Sequence, residues 1–141
     1  MICFESIIDE IEKNITGDID VTKLAKEANM SVYEFRRIFT FITKISLGEY
    51  VRKRRLSLAA IELYKNGAII TDLSSKYGYD SPSSFSRAFK EFHGVSPSAV
   101  LKGNTNFKLL TKISTEIIIN GGEDISYTML KKQGFKVSGF S

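Results

Sequence analysis

Apolar residues recur at helical spacing through most of the first hundred positions, and one arrangement of them occurs twice. Val21, Leu24, Ala25 and Ala28 mark the buried face of a short helix. Asn29 follows, a residue type that tolerates a left-handed backbone, and Ser31 then opens a second helix as its N-cap, with Glu34 completing a capping box. In that helix Phe35, Ile38, Phe39 and Ile42 fall at i, i+3, i+4 and i+7 and are expected to be buried. Tyr33, Arg36, Arg37 and Thr40 share the spacing on an outward side. The stretch ITDLSSKYGYDSPSSFSRAF (70–89) repeats VTKLAKEANMSVYEFRRIF (21–39) at an offset of 49, which becomes 50 after the inserted Asp80. Gly78 takes the turn, Ser81 the cap and Pro82 the first helical position. Phe85, Ala88, Phe89 and Phe92 face inward, and Ser83, Ser86, Arg87 and Lys90 outward. Each copy reads as helix, turn, helix.

Between the copies, SLGEYVRKRRLSLAAIELYKNG predicts one helix, capped by Ser46 and ended by Gly67. Its roughly 20 residues span about 30 Å. From Asn104 the pattern changes. Asn104-Thr105-Asn106 reads as a linker, and short apolar runs at 114–119 and 126–140 predict strands, forming a small hairpin or a self-associating edge. The expected architecture is all-α, with two helix-turn-helix subdomains joined by a long linker helix in residues 1–103. A short β-rich tail occupies 104–141.

Charge sharpens this picture. The 141 residues carry 20 Lys and Arg against 16 Asp and Glu, for a net charge of +4. Residues 1–20 hold six acids and one lysine, whereas 21–103 hold fourteen Lys and Arg against seven acids. A basic body of this kind suits a polyanion. The run Arg52-Lys53-Arg54-Arg55 on the connecting helix is read as a phosphate contact through Arg52 or Arg54, the alternative being a solvated face. The lone Cys3 cannot form an intramolecular disulfide, and no Cys/His cluster suits zinc, so neither a metal nor a cofactor is expected. His93, the one histidine, stands at a helix end before Gly94 and is assigned a helix-terminal or capping role. An acid-base or nucleophilic enzyme is not expected. The acidic, amphipathic start is unlike a signal peptide, and no run approaches the roughly 20 apolar residues that cross a bilayer, so a cytoplasmic protein without a membrane partner is expected.

The second copy, ITDLSSKYGYDSPSSFSRAFKEFHGVSPSAV, with LAKEANMSVYEFRRIF and EYVRKRRLSLA, resembles the DNA-binding domain of the AraC/XylS family of transcription regulators over about residues 4–103. The resemblance implies duplex DNA as partner, read by Tyr33, Arg36 and Arg37 from the first unit and by Ser83, Ser84, Ser86 and Arg87 from the second. Phosphate contacts are expected from Ser31, Thr40, Arg52, Arg54, Ser81 and Lys90. Pro82 stands where some relatives carry a polar side chain. A span of about 30 Å against a B-DNA turn of about 34 Å would let one chain reach successive major grooves. The implied role is a monomer-capable regulator, such as an activator, acting on RNA polymerase, with dimerisation through the tail left open. The tail resembles the start of a GyrI-like effector-binding domain. A protein-interaction module gripping an acidic partner, or a small-ligand sensor, are the competing readings.

Overall fold

Side-chain caps set where most of the helices begin. In the computed structural model, which describes residues 4–113, the elements are α1 (Phe4–Lys13), α2 (Val21–Glu27), α3 (Val32–Thr43), α4 (Leu47–Asn66), α5 (Ile70–Lys76), α6 (Pro82–His93) and α7 (Pro97–Leu101). Asp20 caps α2, accepting from the Lys23 amide at 3.1 Å. Ser31 accepts from the Glu34 amide at 3.1 Å while the Glu34 carboxylate accepts from the Ser31 amide at 3.1 Å, closing the capping box of α3. Ser46 caps α4, and Ser96, followed by Pro97, caps α7. α5 begins without a side-chain cap. The described residues contain no strand, and no helix among them is long and apolar enough to cross a membrane. The strands expected at 114–119 and 126–140, and the GyrI-like resemblance they carry, lie outside the described residues.

The internal repeat survives at the level of backbone dihedrals. Asn29 and Gly78, at matching places in the two turns, both have positive φ, 59° and 81°. So do Lys44 and Gly94, the residues that end α3 and α6, at 69° and 81°. Lysine there carries a steric cost that glycine escapes. The neighbouring Thr43 ties the end of α3 down, its hydroxyl donating to the Phe39 carbonyl at 2.8 Å.

Each unit has its own core, and α4 runs through both. Ile7, Ile8 and Ile11 of α1 pack with Leu24, Phe35, Phe39 and the first half of α4 (Leu47, Tyr50, Val51). Leu56, Ala59, Ala60 and Leu63, from the second half of α4, pack with Leu73, Tyr77, Phe85, Phe89 and Val100. Phe35 and Phe39 are buried like their counterparts Phe85 and Phe89. Ile38 departs from the expected pattern, being 43 % exposed. It lies about 100° around the helix from Phe39, and the stripe that α3 buries (Phe35, Phe39, Thr43) is too narrow to include it.

His93 stands at a helix end, as expected, and its ring has a further role. It ends α6 but does not cap it through its ring: it is buried, and ring Nε2 pairs with the Leu56 carbonyl at 2.8 Å while Nδ1 accepts from the Lys108 amide at 3.0 Å. These contacts require a neutral ring protonated on Nε2. Burial pushes its pKa down to about 4 from the ordinary 6.5. The native state therefore resists a proton that the unfolded chain takes up near pH 6.5, so the stabilisation from neutral His93 is present above that pH and lost as pH falls towards 4. Urea unfolding is expected to show a loss of about 1.4 kcal/mol per pH unit within this window that His93→Gln does not share. Parallel pH profiles for the two proteins would refute it.

Beyond Gly103 the chain does not leave the helical body. Residues 107–113 run back along α4, with Leu109, Leu110 and Ile113 buried. The packed unit thus continues past the boundary expected at residue 103. The linker expected at 104–106 is a short connection into this segment.

Candidate nucleic-acid interface

On α3, Tyr33 is 70 % exposed, and the Arg37 guanidinium lies over its ring at 5.7 Å from the centroid. This cation–π contact limits the freedom of a side chain that otherwise points to solvent. Arg36 and Thr40 are exposed beside them. On α6, Ser83, Arg87 and Lys90 are exposed and Ser86 is half-buried.

Ion pairs engage six cations outside these two faces. Lys13, Lys23, Arg52, Arg54, Lys76 and Lys112 each meet a carboxylate within 4.0 Å. Among the described residues, Arg36, Arg37, Arg87 and Lys90 meet none. Positive charge left uncompensated on two equivalent helix faces gives those faces an attraction for anions.

Four expected contacts are already engaged within the protein. Arg54, read as a phosphate contact, is 8 % exposed. Its Nε donates to Glu12 at 3.1 Å, Nη2 meets the other oxygen of the same carboxylate, and Nη1 donates to the Leu110 carbonyl at 2.8 Å. Four successive cations on a helix point around most of its circumference, so one of them must face the body, and acidic α1 meets it there. Arg54 is a structural cation. Ser84, read as a base contact, is the N3 residue of the α6 capping box. Its hydroxyl donates to the Ser81 carbonyl at 2.9 Å and accepts from the Ser81 amide at 3.3 Å. Ser31 and Ser81 each use a hydroxyl lone pair to cap a helix, at 3.1 Å from the Glu34 and Ser84 amides. That places them at the two helix N-termini, where amides and partial positive charge suit a phosphate.

Arg52 stays half exposed, paired with Glu49 at 3.2 Å and reaching Glu91 of α6 at 4.0 Å. With Arg36, Arg55, Gly48, Val21 and Tyr79 it lines a cleft of about 480 Å³ between the two units. Arg55 is fixed there by donating to the Ile15 and Gly17 carbonyls, both at 2.7 Å, which anchors the loop after α1 to α4. Two further features escape a reading of the sequence. Lys53, half exposed on α4, has no carboxylate partner among the described residues. Phe41 is 72 % exposed, with the Lys44 ammonium 5.1 Å from its ring centre. Its place four residues after Arg37 and eight after Tyr33 was the available signal.

No group of His, Cys, Asp or Glu side chains that could hold a metal occurs among the described residues. A family model described as a helix-turn-helix domain matches residues 24–103. The transcriptional activator AarP of Providencia stuartii is 33 % identical over 116 residues, covering 79 % of this chain and 86 % of AarP. A Chromobacterium violaceum transcriptional regulator with an AraC-type DNA-binding domain superposes with a TM-score of 0.64 at 18 % identity, over 70 % of this chain and 88 % of that one. The chain belongs to the AraC-type helix-turn-helix family of transcription regulators. Within this AraC-type family it also resembles the regulatory protein SoxS of Salmonella typhimurium, at 35 % identity over 94 residues, 67 % of this chain and 88 % of SoxS. The fold is shared with the DNA-binding domain of AdpA, solved in complex with a target DNA, at a TM-score of 0.62 and 22 % identity, over 70 % of this chain and 88 % of that one.

Proposed function

We propose that this AraC-type chain activates transcription by placing α3 and α6 in successive major grooves of one duplex, as a single copy, and by contacting RNA polymerase while bound. The observation that carries the reading is the pair of uncompensated cationic faces on a duplicated scaffold. The helix between them has 20 residues, or about 30 Å of backbone, close to a turn of B-DNA. Tyr33, Arg36 and Arg37 read bases in the first box, with Arg37 held ready by its stack on Tyr33. Arg87, Ser83 and Ser86 read the second, more permissively, because serine discriminates bases less than a bidentate arginine does. Thr40, Lys90, Arg52 and the capped N-termini at Ser31 and Ser81 hold the backbone.

Selection of bound duplexes from a random library, followed by affinity measurement across a salt series, tests this. Two short boxes about one helical turn apart are expected, the first better defined, with affinity falling steeply as salt rises. Binding that ignores duplex DNA and survives high salt would instead support a protein-interaction module.

A further inference from the structure

The segment 107–113 lies outside the two helix-turn-helix units, yet it packs into the cores of both. It crosses from one core to the other. Phe107 and Leu109 pack into the core of the second unit, and Leu110 and Ile113 into that of the first. Its backbone is held at successive points by side chains of different elements. The Lys108 amide donates to His93 at the end of α6 (3.0 Å), the Leu110 amide to Ser57 of α4 (2.8 Å), and the Ile113 amide to the Tyr50 hydroxyl of α4 (3.3 Å). The Leu110 carbonyl accepts from Arg54, whose other bonds reach Glu12 of α1. Lys112 and Asp9 of α1 add an exposed pair at 2.7 Å.

This arrangement matters because α4 is otherwise the main covalent and packed link between the units. A helix in two cores fixes their separation, but bending and twisting of a lone rod are comparatively soft. A second connection running alongside, anchored in both cores, resists those motions. Ser57, Tyr50 and His93 are buried polar groups on three different turns of the body, and each takes a hydrogen bond from this one segment. Losing these bonds would cost free energy at every point.

We propose that 107–113 is a positioning strap that holds the two helix-turn-helix units in the fixed relation needed to read two boxes at one spacing. The proposal rests on the DNA reading above. With both boxes in reach, the second contact is intramolecular and strengthens binding, whereas a pair of loosely held units loses its preference for one spacing.

The test uses the full chain in three forms: wild type, Leu109→Ala/Leu110→Ala, which empties the strap's places in both cores, and Tyr50→Phe/Ser57→Ala, which removes hydrogen bonds while keeping the packing. Amide hydrogen exchange reports whether 108–113 is released, and residual dipolar couplings report whether the two units share one alignment tensor. In duplexes, affinity is compared between the selected spacing, a spacing 2 base pairs longer, and a single box. Wild type is expected to share one tensor and to prefer the selected spacing about tenfold or more. In the variants, 108–113 exchange faster, the tensors separate, and the spacing preference falls below about threefold while single-box affinity stays within about threefold. A released strap with a common tensor and an intact spacing preference overturns the proposal. So does unchanged exchange in both variants, because the named contacts would then not hold the segment. Should the alanine pair fail to fold, the hydrogen-bond pair decides. Tensors that separate in a protein binding no duplex would support the strap and defeat the DNA reading instead.

Discussion

Replacing Arg36 or Arg37 with alanine is expected to cost about 1–3 kcal/mol of discrimination at the first box, roughly a 5- to 150-fold loss of preference for the selected base. Ser83→Ala in the second unit is expected to change preference far less. Both arginines are exposed and lack a carboxylate partner among the described residues, so their removal leaves no buried group unsatisfied. The melting profile should therefore hold to within about 0.5 kcal/mol. Arg37 starts with an advantage, since its guanidinium already rests on the Tyr33 ring at 5.7 Å, and Tyr33→Ala should weaken Arg37 without touching it. Competition binding across duplexes carrying single base changes measures the effect. Equal losses for Arg37→Ala and Ser83→Ala would contradict the division of labour between the two helices.

Arg54→Ala should act on stability. It strands the Glu12 carboxylate, a quarter exposed, and leaves the buried Leu110 carbonyl without its donor. Breaking a buried pair from one side costs about 3 kcal/mol, and roughly 10–20 °C of melting temperature for a domain of this size. Replacing both partners, as in Arg54→Met/Glu12→Leu, should recover much of that, because no lone charge remains. Arg52→Ala supplies the contrast: little change in melting, but a shallower salt dependence of DNA affinity, by about one unit of slope. Denaturant unfolding of the four proteins separates these outcomes. A mild Arg54→Ala with a strongly altered salt slope would restore that residue to the DNA surface.

The duplicated pattern of phenylalanines, turn residues and capping serines was legible because each rests on local physics. Phe35 and Phe85 recur at helical spacing, Asn29 and Gly78 sit where positive φ is needed, and Ser31 and Ser81 lie three residues from the amides they cap. What escaped depends on contacts far apart in the chain. Arg54 looks like its neighbours in sequence, and its burial follows from Glu12, 42 residues earlier, and Leu110, 56 residues later. His93 was placed correctly at a helix end, but its partners, Leu56 and Lys108, come from elements that no local pattern ties to it. The run at 107–113 is short, with apolar pairs that fit no single period, because its side chains serve two cores in turn. Ser84 shows a subtler limit. The family resemblance put it among the base contacts, but its place as third residue of the helix drew its hydroxyl back to Ser81.

The ends of α3 and α6 differ in one respect with a mechanical consequence. Thr43 and His93 occupy the same place in the two copies, both buried and polar, yet the threonine closes on its own helix whereas the imidazole reaches 15 residues onward to Lys108. Duplication begins with two interchangeable halves, and here that symmetry is broken at an interior site. A pull transmitted along the backbone from downstream meets the end of α6 through a direct bond to His93, and reaches α3 through the side chains packed against it. The regulator thereby has a front and a back, set by the ring that ends its later copy.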